Sequence, residues 1–248
     1  MKLVPVAFGG ECGEPLAQQL QAVRVFRHAR ALPVRFQSGA IVYCTRSPPA
    51  QTDRHGASVD ANNITEAQEA RAQADSADLI LRAVAFAAHK HRDQRRKDKD
   101  ASPYINHPIQ LATVLWEEGG VRDPKVIAAA LLHDTLEDTE TTWQELRGVF
   151  GEEIADVVLE VTDTKWIKKA VRKRLQVARA AHSSDNAKLV KLADKICNLR
   201  DVAAHPPAGW SLERKQQYFD WAKEVVDQLR GTHPELERRF DEVYTLKP

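Results

Sequence analysis

Apolar residues recur at helical spacing through most of the chain after residue 75. In ADSADLILRAVAFAAHKH (74–91), positions 79, 80, 83, 84 and 87 share one face, and Asp75 or Ser76 is the expected helix cap. Further helices are predicted over residues 106–120, 123–138, 141–164 with a break at Gly151, 167–183, 185–202, 211–231 and 234–246. No segment alternates apolar and polar residues as a half-buried strand would. The pattern therefore predicts an all-α helical bundle.

The first 74 residues have a different pattern. They lack sustained periodicity, and breakers such as Gly9-Gly10 and Pro48-Pro49 interrupt them throughout. Only LAQQLQAVRVFRHAR (16–30) has the spacing of a short helix. We therefore predict a poorly structured extension over residues 1–74 and a folded domain over residues 75–248.

One predicted helix combines a buried body with an acidic end. It begins DPKVIAAALL, where Asp123 can cap the first turn and Pro124 suits the first helical position. The apolar run 126–132 predicts burial on most sides, and HDTLED (133–138) follows it. The helix macrodipole is negative at a carboxyl end and disfavours these acids. A metal ion or a basic cluster is therefore expected beside them.

Composition excludes several classes of function. The 248 residues are 43% hydrophobic and have a net charge of +1, so overall charge does not indicate a nucleic-acid partner. The longest uninterrupted apolar run has only the seven residues 126–132, so no membrane span is expected. Cys12, Cys44 and Cys197 have no metal-binding spacing, which favours a reducing, cytoplasmic compartment.

The acidic segment offers metal-binding chemistry. In a continuous helix, His133, Asp134, Glu137 and Asp138 occupy positions i, i+1, i+4 and i+5 and share one face. Imidazole and carboxylate groups without a thiolate suit a first-row divalent ion such as Mn²⁺, Fe²⁺ or Zn²⁺. Two adjacent residues cannot fill a coordination sphere, so other segments must supply further ligands.

Two such ligands are suggested elsewhere. His107 lies in PYINHPI, at the start of its predicted helix. Asp194 lies in KLADKICNL, on a helix where Lys191, Asp194, Asn198 and Asp201 form a polar stripe with spacings of 3, 4 and 3. The stripe either faces the site or is an ordinary solvated face.

The combination of a His, a distant His-Asp pair and a distant Asp on three helices resembles the HD-domain metal-dependent phosphohydrolases. Longer strings resemble the hydrolase domain of the RelA/SpoT proteins, especially the short, single-domain metazoan SpoT homologue type. These strings are HKHRDQRRKD, PYINHPI, AALLHDTLEDT, GEEIADVVLEVTD, RKRLQVARAAHSS, AKLVKLADKICNLRD and YFDWA. The resemblance covers residues 76 to about 245 in collinear order and does not cover 1–74.

The resemblance implies a metal-dependent reaction. The implied ligands of one Mn²⁺ ion per chain are His107, His133, Asp134 and Asp194. The implied catalytic pair is Glu137 and Asp138, with Glu137 orienting or deprotonating the attacking water. The implied reaction, known from the stringent response, hydrolyses the 3′-pyrophosphate of guanosine tetraphosphate (ppGpp) or pentaphosphate (pppGpp) to GDP or GTP and pyrophosphate. No synthetase domain follows before Pro248, so a hydrolase-only enzyme is expected.

An anionic nucleotide requires cationic walls. Residues 89–99 hold six Lys/Arg against two Asp. The resemblance implies that Arg96 stacks on guanine and Lys97 contacts phosphate, although a solvated basic loop is the plainer interpretation. Further implied substrate contacts are Lys169, Asn198, Trp210 and Tyr218. The rest of the KKAVRKR run (168–174) is expected to be a solvated helix face. Tyr104 either closes the ribose side of the pocket or only packs, and Tyr218 with Trp221 could equally be core aromatics.

Three rival functions remain open on the sequence. The first is an HD-type phosphohydrolase of another nucleotide, such as a phosphatase acting on NADPH. The second is a nucleotide-binding module without turnover, which the intact Glu137 and Asp138 disfavour. The third is a nucleic-acid binder that uses the two basic stretches. We expect a small-molecule substrate, with neither a nucleic acid nor a membrane as partner.

Overall fold

Helices supply nearly all the regular structure in residues 61–248, the part of the chain that the computed structural model describes. They are α1 (Ala61–Lys90), α2 (Asn106–Thr113) with a π-helical continuation (Val114–Glu118), α3 (Pro124–Leu132), α4 (Thr135–Asp138), α5 (Trp143–Phe150), α6 (Glu152–Val161), α7 (Lys169–Ala180), α8 (Asp185–Ala204), α9 (Leu212–Asp227) and α10 (Pro234–Tyr244). Within this part of the chain the extended structure is one isolated antiparallel bridge between Arg95 and Pro103. The predicted all-α class is confirmed, whereas the predicted helix 16–30 lies outside the described residues.

Helix α1 begins earlier than the sequence pattern indicates. Residues 61–74 were expected to be irregular, but they are the first turns of α1. Ser76, an expected cap, lies inside the helix and donates from its hydroxyl to Ala72 O at 2.7 Å. The described side chains from residue 65 to 75 are exposed. Ala, Glu, Gln and Arg favour helix without an apolar face, so periodicity alone missed this segment. The proposed domain limit at residue 75 stays a prediction.

Helix α3 is the centre of the bundle. All seven residues from 126 to 132 are buried, as the apolar run predicts. The helix packs against α1, α2, α6 and α8. Asp123 caps it by accepting from the Lys125 amide at 2.9 Å, and Pro124 occupies its first turn. Because α3 is packed on several sides, the segment that follows it begins from a fixed position.

The acidic segment does not continue α3, and that expectation was wrong. The helix ends at Leu132, and a break at His133 and Asp134 precedes the short helix α4. Two side chains cap the carboxyl end of α3. His133 Nδ1 lies 2.8 Å from Ala130 O, and Thr135 Oγ1 donates to Leu132 O at 2.6 Å. Because these contacts satisfy carbonyls that a continuing helix would use, the chain turns and re-aims the acids.

Other boundaries follow local chemistry. Gly151 separates α5 from α6 at φ 90°, a conformation that favours glycine. Gly119 ends the π-helical turn at a close approach, because an added Cβ would lie 2.9 Å from Leu236 Cδ2 of α10. Ser184 and Ser211 cap α8 and α9 through their hydroxyls. These breaks and caps fix the directions of the helices that reach the site.

No helix among residues 61–248 combines the length and the apolar character that crossing a bilayer requires.

Candidate active site

Three of the four predicted metal ligands come together between α2, α3 and α8. The ligand atoms of His107, His133 and Asp194 all lie within 4.8 Å of one another. His107 Nε2 is 3.3 Å from Asp194 Oδ1. Asp134, the fourth predicted ligand, lies beside this group, with its Oδ2 3.0 Å from His133 Nε2. Residues separated by 87 positions along the chain therefore form one compact polar centre.

The ring of His133 is oriented by the end of α3. Its Nδ1 donates to Ala130 O, which leaves Nε2 directed at Asp134. Burial lowers the pKa of His133, but the nearby Asp134 carboxylate overcomes this and raises it to about 9. A proton and a metal ion compete for the same Nε2 lone pair. This nitrogen is therefore placed as a ligand would be.

A divalent cation fits the chemistry of the group. The ring nitrogen His133 Nε2 is buried and makes no hydrogen bond of regular geometry, and it faces the carboxylate oxygen Asp134 Oδ2 at 3.0 Å. Buried polar atoms without partners are uncommon and need an explanation. A carboxylate, Asp194, faces both rings. Imidazole with carboxylate suits first-row divalent ions, so these residues could hold one.

Asp194 is held by its own helix. Its Oδ1 accepts from Asn198 Nδ2 at 2.6 Å, and its Oδ2 accepts from Lys195 Nζ at 2.9 Å. Burial works against ionisation, but Lys195 and His107 hold the pKa of Asp194 well below its usual range. Asp201, on the same stripe, pairs with Arg96. The polar stripe of α8 therefore faces the site rather than solvent.

Tyr104 links the predicted metal ligand Asp134 to the predicted catalytic acid Asp138. Its hydroxyl donates to Asp134 Oδ2 and also lies 3.3 Å from Asp138 Oδ2. Burial and the Asp134 charge raise the pKa of Tyr104, so it stays a donor. Behind it, Gln94 Nε2 donates to the Asp138 carbonyl at 2.6 Å, and Gln94 Oε1 lies 2.7 Å from His91 Nδ1. The sequence analysis left two interpretations of Tyr104 open, ribose contact and simple packing. These contacts favour a third role, in which the hydroxyl of Tyr104 orients Asp134 and Asp138.

Glu137 occupies a setting suited to a general base. The backbone amide of Asp163 donates to its Oε2 at 3.0 Å, and Arg172 Nη1 lies 3.3 Å from its Oε1. Burial raises the pKa of Glu137 to about 7, and the charges of Asp163, Asp134 and Asp138 add to this effect while the Asp163 amide opposes it. A base with a pKa near the working pH accepts protons efficiently.

Predicted substrate residues line a cavity of about 520 Å³. Lys169, Trp210 and Tyr218 all contribute to it, together with the unpredicted Lys173 and Arg214. The Trp210 and Tyr218 rings lie 5.5 Å apart, and Arg214 lies 4.4 Å above Trp210. Burial lowers the pKa of Lys169, and neighbouring cations, including Lys97 and Arg172, lower it further. Aromatic faces beside cations suit a base joined to phosphates.

The other predicted substrate residues are not cavity-lining. Arg96 pairs with Asp201 and lies 5.9 Å from the Tyr104 ring centre, and Lys97 is exposed. Asn198 donates to Asp194. Trp221 packs against the cavity residue Tyr218, with ring centres 5.3 Å apart, and its indole donates to Lys173 O at 3.2 Å.

Several residues of the site were missed by the sequence analysis. Arg172 and Lys173 were assigned to a solvated face, but both are partly buried and face the site, whereas Arg174 is exposed. The spacing 169, 172 and 173 marks one helix face and could have revealed them. Lys165 lies in the loop after α6 and pairs with Asp138 at 2.5 Å. No motif indicates Lys165, because only the fold brings this loop to the acids.

The comparison with protein-family models matches residues 83–220 to the HD domain. This range contains every residue of the centre described above. The match therefore defines the class of protein to which the fold and the paired histidines and aspartates belong.

Comparison with individual proteins narrows the class. The chain is 54% identical over 166 residues to guanosine-3′,5′-bis(diphosphate) 3′-pyrophosphohydrolase MESH1 of Xenopus tropicalis, covering 67% of this chain and 93% of that protein. The Homo sapiens MESH1 is 53% identical over 165 residues, covering 66% and 92%. A solved structure, described as a metazoan ortholog of SpoT that hydrolyzes ppGpp and plays a role in starvation responses, is 48% identical with a TM-score of 0.66, covering 67% and 94%. The chain belongs to the HD-domain family and, within it, to the MESH1 group.

Proposed function

We propose that this protein hydrolyses the 3′-pyrophosphate of guanosine tetraphosphate or pentaphosphate, giving GDP or GTP and pyrophosphate. The observation that most supports it is the position of Glu137 and Asp138 beside the buried centre of His107, His133 and Asp194. The relatives in the MESH1 group bear the name of this activity. The cationic and aromatic cavity gives the nucleotide a place to bind.

The metal in this proposal is Mn²⁺, held by His107, His133, Asp134 and Asp194. When bound, such an ion polarises a phosphoryl oxygen and lowers the pKa of water. The buried His133 Nε2, which faces Asp134 Oδ2 without a hydrogen bond of regular geometry, supports the placement. Asp134 already touches His133, so it is the natural fourth ligand.

The chain's own residues perform the proton transfer and the binding. Water forms a bond to the phosphorus next to the ribose, the bond from that phosphorus to the 3′-oxygen breaks, and the 3′-oxygen takes up a proton from solvent. Glu137 accepts the water proton, helped by a pKa near 7. Asp138 supports this step through Tyr104, which it shares with Asp134. Lys169 and the Trp210–Tyr218 pair bind the nucleotide.

We place this reaction in the cytoplasm, because the sequence has few cysteines, an odd number of them, which suits a reducing compartment.

The test is a chromatographic time course of guanosine tetraphosphate with purified protein, with and without Mn²⁺. We expect GDP and pyrophosphate to form together, only with the metal. A parallel incubation with NADPH distinguishes phosphatase action on a 2′-phosphate. Absence of products from folded, Mn²⁺-loaded protein would overturn the proposal, and tight binding without products would instead support a non-catalytic module.

A further inference from the structure

The loop between α6 and α7, residues 162–168, contacts both catalytic acids. At its start, the Asp163 amide donates to Glu137, and the Asp163 carboxylate accepts from Gln176 Nε2 at 2.6 Å. Two residues later, Lys165 Nζ lies 2.5 Å from Asp138 Oδ1. The loop is thus tied down at Asp163 and again where α7 begins. A lysine held between two fixed points has a defined place over the acids.

Lys165 differs from the other cations that pair with acids of the site. The side chains of Arg96, Arg172 and Lys195 are 20%, 24% and 7% exposed, whereas that of Lys165 is 53% exposed. The three more buried cations are enclosed with their partners. Among these four ion pairs of the described chain, the Lys165 ammonium is therefore the one that a solute reaches most easily.

The ammonium of Lys165 has donors to spare. A lysine carries three N–H donors, and Asp138 is its single partner among the described ion pairs. The other oxygen of Asp138 faces Tyr104, whose hydroxyl also donates to Asp134. Lys165 is therefore connected to the predicted metal ligand Asp134 by three contacts, through Asp138 and Tyr104, and it lies on the side open to solvent. A charged substrate group held at the metal centre would lie within this cation's surroundings.

We propose that Lys165 binds the 3′-diphosphate of the substrate and the pyrophosphate product, which makes it a specificity-determining residue. This inference rests on the proposed function. Charge favours it, because Asp134, Glu137, Asp138 and Asp163 surround the reacting group with negative charge and would repel a diphosphate. An exposed ammonium that already neutralises Asp138 offsets this repulsion and offers donors to phosphate oxygens.

The test compares Lys165→Gln with wild type in the Mn²⁺-loaded full-length protein. Inhibition by two products is measured, namely pyrophosphate, which contains the diphosphate, and GDP, which lacks it. A charge-assisted hydrogen bond supports an expected weakening of pyrophosphate inhibition by about tenfold. Inhibition by GDP should change by less than about twofold, and Lys165→Arg should restore most of the pyrophosphate affinity because it keeps the charge.

A matched control removes the same charge from the same loop. Lys168 is exposed and makes no side-chain capping bond at the start of α7. Lys168→Gln should leave pyrophosphate inhibition within about twofold of wild type, as expected for a screened surface charge. An equal loss in both variants would show a general field effect and overturn a specific contact.

A second measurement separates contact from positioning. If Lys165 acts only by orienting Asp138, Lys165→Gln lowers kcat and leaves pyrophosphate binding unchanged, which would overturn the proposal. Pyrophosphate is also titrated by calorimetry into Asp138→Asn and into the double variant Asp138→Asn with Lys165→Gln. The double variant should bind pyrophosphate more weakly than Asp138→Asn. If wild type does not hydrolyse guanosine tetraphosphate, the proposed function fails, whereas normal wild-type turnover with unchanged pyrophosphate binding in Lys165→Gln rejects the role of Lys165 alone.

Discussion

The two sides of the site are built in opposite ways. The predicted ligand side, consisting of the buried His107 and His133 and the partly buried Asp194, is supported by the fixed ends and interior of helices. The substrate side, consisting of the loop 162–168 and the cavity between α7 and α9, has half-exposed cations and aromatic faces. Buried ligands need fixed geometry, whereas a nucleotide must enter and leave. Substitutions on the first side should therefore abolish chemistry or metal binding, and those on the second should mainly weaken substrate binding.

The largest effect is expected at the boundary between the two sides. Glu137→Gln keeps the shape and removes the proton acceptor, so kcat should fall by about 10²–10⁴-fold. Metal binding, measured by calorimetry, should stay near wild type because Glu137 is not in the buried ligand group. Glu140→Gln, an exposed neighbour, is the matched control and should retain full activity. Wild-type turnover in Glu137→Gln would refute its role as base.

The ligand side is tested by His107→Ala. Loss of a ligand should weaken Mn²⁺ binding by about 100-fold or more, since even changes to supporting residues cost 10–100-fold. Excess Mn²⁺ should restore part of the activity. His182→Ala, at an exposed position, serves as the control. For Asp194 the better variant is Asp194→Asn, because the asparagine oxygen can still accept a hydrogen bond from the buried Lys195, which alanine cannot. Unchanged metal affinity in His107→Ala would exclude it as a ligand.

The substrate side is tested by Lys169→Gln. Removing this cavity cation should raise KM for guanosine tetraphosphate by about tenfold while kcat changes little, because the chemical step lies elsewhere. Arg174→Gln on the same helix points to solvent and should leave KM unchanged. The KM effect should also shrink at high salt. A fall in kcat with constant KM would contradict the division between the two sides.

The smallest effect is a shift in pH dependence. Glu137 accepts a proton only when ionised, so kcat/KM should rise as pH increases through its pKa of about 7. The negative charge of Asp163 raises that pKa, so Asp163→Asn should move the acidic limb of the profile to lower pH. Asn can still accept from Gln176, which limits structural damage. A shift to higher pH, or none, would show that Asp163 does not act on Glu137 in this way.

Local patterns predicted much of the fold because most helices here have recognisable sequence signals at their ends. Asp123 and Pro124 mark the start of α3, and Gly151 marks a break where the structure has one. The pattern failed where local and tertiary preferences diverge. Residues 61–74 form helix without an apolar face, and HDTLED leaves α3 because His133 and Thr135 bond to its last carbonyls.

The candidate site also divides into residues that local sequence signals predict and residues that only tertiary contacts reveal. The residues His107, His133 and Asp194 could be named in advance because their types and order resemble a known motif, and the structure brings them together. Lys165 and Arg172 could not, because a cation in a loop or on a basic helix has no distinctive local signature. Their importance comes from partners 27 and 35 positions away in the chain.

The sequence by itself determined the helical class, the buried run of α3 and the residue types that suit a divalent ion, because periodicity and chemistry are local properties. Only the tertiary structure decided that α3 stops before its acids, that Tyr104 joins Asp134 to Asp138, and that the loop lysine Lys165 pairs with Asp138. These features depend on contacts between segments distant in the chain. Such contacts are set by the packing of whole helices, which no short stretch of sequence encodes.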